Sequence, residues 1–293
     1  MDKKTGSILL KTVILSLSSI RRNKILLAPF VLGAFFQISA LVVLYLIPRA
    51  PLKTVLGPPI RTLWGEKFLH YPANFILLPK LSAYANVVLS IIIGSFLTAV
   101  AVLMAQAVYQ KKQIKLKPIT KTALRSYIQV FFVVFLFNLV FFLLQKLLSS
   151  GLLSYFLQGH RTFLFLGPTV WLGPLWIGIN FVLALCIQAV FMYAIPFLLI
   201  GKKPLLQAII HSCLFTKRYL LQTLLLIGIP LLLFLPFQIL ISNTAFLINK
   251  LFPEFIFLLS LAAIVFSALV VDAFTSLATA FFYLGVVDRE KNS

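Results

Sequence analysis

One acidic residue, Asp272, lies deep inside a long apolar stretch of the chain, sixteen residues after Ile256 and fifteen before Val287. A carboxylate near the middle of a membrane is costly, so such residues usually serve a function or bond to polar partners. Helical spacing places small and polar residues on the same face as Asp272, namely Ala268, Thr275, Ser276 and Thr279. We expect this face to point into the protein. Asp272 there either takes up protons or faces a substrate, or it holds helices together through hydroxyl hydrogen bonds.

Three amide side chains in other apolar stretches are the candidate polar partners of Asp272. They are Asn138, Asn180 and Gln188. No Lys, Arg or second acid is expected at the same depth, so the sequence does not predict a proton relay built from several carboxylates.

Glu66 and His70 are the candidates for chemistry outside the apolar stretches. They are four residues apart in Trp64–Pro72, so one helical face could carry both. A carboxylate and an imidazole so placed are typical of an acid/base pair or of half a metal site. A metal site needs more ligands than this region offers. An amphipathic outer segment anchored by Trp64 and Tyr71 is the simpler interpretation.

Basic residues recur next to amphipathic segments and form a third group of candidates. They are Arg21, Arg22, Lys111, Lys112, Lys115, Lys117, Lys217 and Arg218. Cations at such positions anchor interfacial helices and attract anionic lipid headgroups. We expect membrane lipids as partners at this face, through simple anchoring or through a specific lipid or protein site.

The composition requires that these residues be positioned by membrane helices. The chain has 293 residues, of which 61% are hydrophobic and 11% charged, and its mean hydropathy is +1.05. Soluble domains are about 45–50% apolar and about 25% charged, so a soluble enzyme is excluded. The net charge of +20 is therefore interpreted as loop charge around membrane spans, and no nucleic-acid partner is expected.

Six stretches are long and apolar enough to span a bilayer, which takes about 20 residues. They are Ile25–Pro48, Tyr84–Tyr109, Tyr127–Leu148, Trp171–Ile200, Leu220–Ser242 and Phe255–Val287. Their continuous apolar character predicts helices and excludes a β-barrel.

The distribution of Lys and Arg predicts the orientation. Of the 26 such residues, 18 lie in the N-terminal segment, the second and fourth loops and the C-terminal tail, and 8 lie in the remaining loops. The side richer in Lys and Arg is normally cytoplasmic. We therefore expect a multi-pass protein of the cell (inner) membrane with both termini in the cytoplasm.

An internal repeat divides the chain into three units. Lys117–Ser126 aligns without gaps with Lys203–Ser212, and Ile8–Ser16 aligns with Pro204–Ser212. Each copy precedes two spans. The sequence predicts an all-α fold in which six transmembrane helices form three hairpins, each preceded by an amphipathic interfacial helix. The units cover about 1–109, 110–200 and 201–293 of a single membrane domain, 1–293.

The first unit has a Ser-containing amphipathic segment, the basic run Arg21-Arg22-Asn23-Lys24, and Pro29 soon inside the first span. With the threefold architecture, this resembles six-span bacterial inner-membrane families, namely the YciC-type proteins and the membrane domain of some glycerophosphodiester phosphodiesterases. The resemblance is architectural and includes no catalytic motif. It implies a six-span fold and no site residues.

Helix breakers and small residues provide the remaining signals. Pro174, Pro196, Gly228, Pro230 and Pro236 interrupt the fourth and fifth spans, and interrupted spans can form a transporter site or simply shape the helices. In the second span a stripe of small residues is typical of close helix packing, and it comprises Ser90, Gly94, Thr98, Ala101 and Ala105.

These patterns support two functions, and a membrane enzyme that uses Glu66 and His70 is a third and less favoured one. The leading prediction is a non-enzymatic envelope or lipid-linked accessory or scaffold protein. The alternative is a transporter or permease for a small or lipid-like substrate that uses the kinked fourth and fifth spans and Asp272. Phosphate-binding loops and hydrolase motifs are absent from the sequence, so we predict no enzyme activity, no cofactor and no metal. Protein partners are not specified.

Overall fold

The computed structural model describes residues 3–157 and 168–292, and this part of the chain consists of helices and connecting turns without a strand. The α-helices are α1 Lys3–Arg22, α2 Ala28–Tyr45, α3 Leu52–Leu63, α4 Asn74–Leu89, α5 Ser95–Tyr109, α6 Leu116–Arg125, α7 Tyr127–Leu157, α8 Pro168–Phe191, α9 Ala194–Leu199, α10 Leu205–Arg218, α11 Leu220–Ser242, α12 Thr244–Lys250, α13 Phe255–Phe266 and α14 Ala273–Asn292. The predicted all-α class is confirmed for the described residues.

Six helical segments in the described residues are long and apolar enough to cross a membrane, as predicted. They are Lys24–Tyr45, Asn74–Tyr109, Tyr127–Leu148, Trp176–Leu199, Leu220–Ser242 and Phe255–Glu290, numbered here as the first to sixth spans. The second and sixth spans have 36 residues each. At 1.5 Å per residue each is about 54 Å long, against a hydrocarbon core of about 30 Å. The second span begins at Asn74, ten residues before the predicted start at Tyr84. Its first helix, α4, includes Pro79 and Lys80, which precede the most apolar stretch.

The second, fourth and sixth spans are interrupted within their length. A π-turn at Ser90–Gly94 separates α4 from α5, and another at Ser267–Asp272 separates α13 from α14. The fourth span breaks at residues 192–193, between α8 and α9. A π-turn contains an extra residue relative to the α-helix and often marks a functional site. The interruption of the fourth span agrees with the breaker Pro196 in the sequence, whereas neither π-turn was predicted.

The six spans contact one another around a ring in chain order, and the sixth closes the ring against the first. Within the ring, α14 of the sixth span also packs against α5 of the second span. The two π-turn helices are therefore neighbours inside the bundle.

Two clusters of buried side chains lie at different levels of the ring. The terminal cluster is near both chain ends and includes Leu26, Met104, Tyr193 and Phe282. The distal cluster lies beyond it along the spans and includes Leu41, Phe75, Leu78, Leu247, Ile256 and Ile264. Along the first, second and sixth spans, the residues between these levels are less tightly packed.

Helices α1 and α10 each have small side chains among their buried residues and several large apolar side chains among their exposed residues. The buried residues are Thr12, Ser16 and Ser19 in α1 and Ala208, Ser212 and Thr216 in α10. The exposed ones are Leu10, Ile14 and Leu17 in α1 and Leu206, Ile210 and Leu214 in α10. Helix α1 packs along α14, whereas α10 packs against α8 and α9. Both helices are thus attached to the spans through faces that combine small buried residues with partly buried apolar ones, such as Val13 in α1 and Phe215 in α10.

Candidate functional site: a cavity around Asp272

A cavity of about 310 Å³ lies between the terminal and distal clusters. Its walls come from the first, second, third, fourth and sixth spans, and none of its lining residues belongs to the fifth span. Ligand sites in proteins measure about 300–1,000 Å³, so this cavity is large enough for a small molecule.

Asp272 is the residue that projects most openly into this cavity. Its neighbours Val271 and Ala273 are buried, whereas Asp272 is the one lining residue classed as exposed. It makes no hydrogen bond or ion pair with another described residue. The structure therefore does not support the alternative in which Asp272 holds helices together through hydrogen bonds to hydroxyl groups.

Hydroxyl and amide side chains make the rest of the polar wall. They are Gln37, Ser90, Thr98, Asn138, Gln188, Thr275, Ser276 and Thr279. Three of these groups are already engaged with backbone. Ser90 Oγ donates to the Val87 carbonyl and Asn138 Nδ2 to the Val134 carbonyl, each at 2.8 Å, and Thr279 donates to the Thr275 carbonyl. Thr275 Oγ1 is buried with no partner among the described residues. The wall thus keeps free groups that a ligand can use.

The remaining wall is apolar and rich in aromatic rings. Phe30 and Phe36 come from the first span, Phe137 from the third and Phe191 from the fourth. The ring centroids of Phe137 and Phe191 are 6.0 Å apart in an edge-to-face arrangement. Such pairs present both ring faces and edges to a neighbouring group.

The helix interruptions lie at this cavity. Ser90, Ile93 and Gly94 of the first π-turn and Ala268 and Asp272 of the second line it. The first π-turn is tied to the third span, because Tyr127 Oη donates to the Ile92 carbonyl at 2.9 Å. The extra residue in each π-turn changes the direction of the following side chains, which brings both polar segments to one space.

The break in the fourth span is held by α10. Pro196 has no N–H to continue the helical ladder. Ser212 Oγ donates to the Val190 carbonyl at 2.5 Å and accepts from the Tyr193 N–H at 3.2 Å, while Thr216 Oγ1 donates to the Ala189 carbonyl at 2.7 Å. Side chains of α10 therefore take over from missing helical bonds beside the cavity residues Gln188 and Met192.

The predicted intramembrane candidates divide into two groups. Asp272, Asn138 and Gln188 meet at the cavity. Asn180 lies elsewhere and joins two spans, since its Oδ1 accepts from Gln145 Nε2 at 3.1 Å. The sequence interpretation missed Gln37, although an isolated amide in an apolar span was a usable signal.

Two further interpretations change with the structure. The stripe of small residues in the second span does not serve packing alone, because Ser90, Gly94 and Thr98 line the cavity, whereas Ala101 and Ala105 are buried in the core. The expected pairing of kinked fourth and fifth spans also fails at the cavity. The fourth span lines it and the fifth span, with Pro230 and Pro236, does not.

Glu66 and His70 do not share a helical face. Residues Glu66–Leu69 form a single short 3₁₀ turn, and His70 follows in extended backbone. Glu66 instead pairs with Arg61 at 3.1 Å, with both side chains exposed. The i, i+4 acid/base geometry that the sequence allowed is therefore not formed, because the helical turn ends before His70.

The basic candidates are all exposed in the structure. They are Arg21, Arg22, Lys111, Lys112, Lys115, Lys117, Lys217 and Arg218. Arg218 is also paired with Glu290 at 2.5 Å and lies over the Tyr219 ring at 5.4 Å. Those contacts join the start of the fifth span to the end of the sixth.

Across the part of the chain that the structure describes, no cluster of three or more His, Cys, Asp or Glu residues could hold a metal ion. Cys186 and Cys213 are free thiols, and both are exposed. We compared the chain with protein-family models, with curated proteins and with solved structures, and none of them matches it.

Proposed function

We propose that the chain is a transporter or permease whose substrate site is the cavity around Asp272. One observation carries this proposal: a carboxylate in the middle of a membrane span is open to a ligand-sized cavity and has no partner among the described residues. A helix bundle that only packs has no need of such a group, since an unpaired acid within the membrane is costly. Transporter sites typically lie at interrupted helices in the bilayer midplane, and three interrupted spans meet here.

The proposal includes the topology predicted from the sequence. The spans form three hairpins, each preceded by an amphipathic helix, and both termini face the cytoplasm of a bacterial inner membrane. The asymmetry of Lys and Arg supports this orientation. The resemblance to YciC-type proteins remains part of the same proposal.

Lipids are the proposed partners at the surface. The outward leucine and isoleucine residues of α1 and α10 support contact with acyl chains, and the exposed basic residues beside them support contact with anionic headgroups. The accessory or scaffold role that the sequence favoured needs this surface but does not need the cavity. Transport therefore becomes the leading proposal, and it involves no covalent chemistry.

Cysteine accessibility tests whether the cavity opens to both sides of the membrane, as transport requires. Ser276→Cys is placed at the cavity wall in a Cys186→Ser, Cys213→Ser background, since both native thiols are exposed. A small membrane-impermeant methanethiosulfonate reagent is applied to right-side-out vesicles and, separately, to inside-out vesicles. We expect modification of the new thiol in both preparations.

Ala263→Cys is the matched control, because Ala263 is buried in the same span and does not line the cavity. We expect it to stay unmodified in both preparations. Modification of Ser276→Cys from one side alone would mean a one-sided binding pocket and would refute transport.

A further inference from the structure

We infer that the substrate of the Asp272 cavity is an organic monocation, in which an ammonium group is carried by a compact apolar body. This substrate class rests on the proposed function, because it concerns the same cavity. Three properties of the wall support it: its charge, its aromatic surface and its size.

The charge of the wall is negative and has a single source. Asp272 is the only charged residue among the described lining residues, and none of them is Lys, Arg or His. A carboxylate removed from water is stabilised chiefly by an opposite charge and hydrogen bonds in good geometry. Because no cationic side chain lines the described wall, the positive charge that pairs with Asp272 has to come from the ligand. An anionic substrate would be repelled by Asp272 and would find no cation in the described wall to compensate its charge.

The aromatic surface favours an organic ammonium over a metal cation. Phe30, Phe36, Phe137 and Phe191 line the cavity from three spans. Aromatic faces attract ammonium groups within about 6 Å of the ring, and they do so most strongly away from water. Hard metal cations need about six or more oxygen ligands around one point. The oxygen-bearing side chains here are spread over five spans in a wall that is mostly apolar, which suits an organic cation better.

The size of the cavity limits the apolar body. An apolar cavity of about 150 Å³ holds one benzene molecule. The volume here is about 310 Å³, so one aromatic ring and a small ammonium group fit together. A diacyl lipid does not fit, although a single amine-bearing tail or ring does.

The test uses benzyltrimethylammonium and its uncharged isostere neopentylbenzene, which has the same shape with carbon in place of nitrogen. The full chain is placed in nanodiscs, and binding of radiolabelled benzyltrimethylammonium is measured by scintillation proximity. We expect saturable binding that unlabelled benzyltrimethylammonium displaces and that neopentylbenzene does not displace at the same concentration. Phenylpropionate, an anion of similar size, is also expected to leave the label in place.

Variants assign the binding to the cavity. Asp272→Asn keeps the shape and removes the charge, and we expect at least about tenfold weaker binding. Phe137→Leu removes an aromatic face and is expected to weaken binding about threefold. Val270→Leu lies on the exposed side of the same π-turn and is the control with unchanged affinity. A monodisperse gel-filtration peak for each variant separates loss of binding from loss of folding.

Three results would overturn the cation assignment. Neopentylbenzene displaces the label as well as benzyltrimethylammonium does, or Asp272→Asn binds as tightly as the wild type, or the label does not bind the folded wild-type protein. Each of them leaves the two-sided modification of Ser276→Cys unaffected, so failure of the substrate class and failure of transport are told apart. Conversely, cation binding with one-sided modification would keep the ligand class and refute transport.

Discussion

The fifth and sixth spans differ in continuity. From the sequence alone, the fifth span is expected to be interrupted and the sixth to be continuous, and the structure has the opposite. The fifth span contains Pro230 and Pro236, yet it forms the continuous helix α11 and lines no part of the cavity. The sixth span contains no proline, yet it is interrupted by the π-turn Ser267–Asp272 and supplies Asp272 to the cavity. The apparent breaker residues are in the regular helix, and the irregular helix lacks them.

This difference shows what interrupts a helix at a membrane site. A proline bends a helix locally, and neighbouring groups in the membrane can satisfy the freed carbonyl. A π-turn instead adds one residue to the helix. The helix after it is rotated about its axis, so its side chains point in different directions from those of a regular helix. The direction of the Asp272 side chain therefore depends on the added residue of the π-turn and not on a kink at a proline.

Single-residue deletions in the two spans are expected to have the largest effects, on ligand binding in the sixth span and on folding in the fifth. Deleting Val270 converts the π-turn to α-helix and leaves both flanking helices in register, so we expect a folded protein that has lost benzyltrimethylammonium binding. Deleting Leu232 in the regular fifth span rotates one half of α11 by about 100°, and we expect no folded protein. Gel filtration and the nanodisc binding assay measure both outcomes. If the Val270 deletion binds normally, the π-turn is not required for the site.

The next largest effect is expected on the free energy of unfolding when a buried leucine of the fifth span is replaced. Leu226 is 1% exposed and packs in the terminal cluster, whereas Leu233 of the same helix is 54% exposed. Leu226→Ala should lower the free energy of unfolding in a mixed-detergent titration by about 2 kcal/mol, because the vacated space stays empty. Leu233→Ala should change it little, since lipid or detergent fills the space. Equal losses would contradict this account of the packing.

A smaller effect is expected at the break in the fourth span. Ser212 and Ser16 are both fully buried, but Ser212 bonds to the backbone of another span, whereas Ser16 donates to Thr12 of its own helix. Ser212→Ala leaves the Tyr193 N–H unpaired, so we expect a loss of about 1–3 kcal/mol in the same titration. Ser16→Ala should cost less. A larger loss for Ser16→Ala would show that the break does not depend on α10.

The smallest effect is expected from Pro236, which is exposed on the fifth span. Pro236→Ala restores a backbone N–H far from the lining residues, so benzyltrimethylammonium should bind as tightly as it does to the wild type. Pro196→Ala in the fourth span is the informative contrast, because Pro196 lines the cavity and we expect weaker binding. Reduced affinity for Pro236→Ala alone would reassign the site to the fifth span.

Much of the fold was accessible from the sequence, because continuous apolar runs have few other solutions. The fifth span was predicted with both of its ends correct, Leu220 and Ser242. Asp272 stood out since no other acid lies within a predicted span. The π-turns could not be foreseen, because no residue type marks the extra residue. Asn180 was misjudged because its partner Gln145 is 35 residues away, and sequence spacing does not report contacts between spans.

The bonds from α10 to the broken fourth span also constrain the order of assembly during synthesis. The Tyr193 N–H is bonded to a residue 19 positions later, and the Ala189 carbonyl to one 27 positions later. Unpaired backbone groups are not stable in lipid. The fourth span therefore cannot take its final shape as it emerges from the ribosome. It has to wait, hydrated or shielded by the insertion machinery, until α10 has been translated.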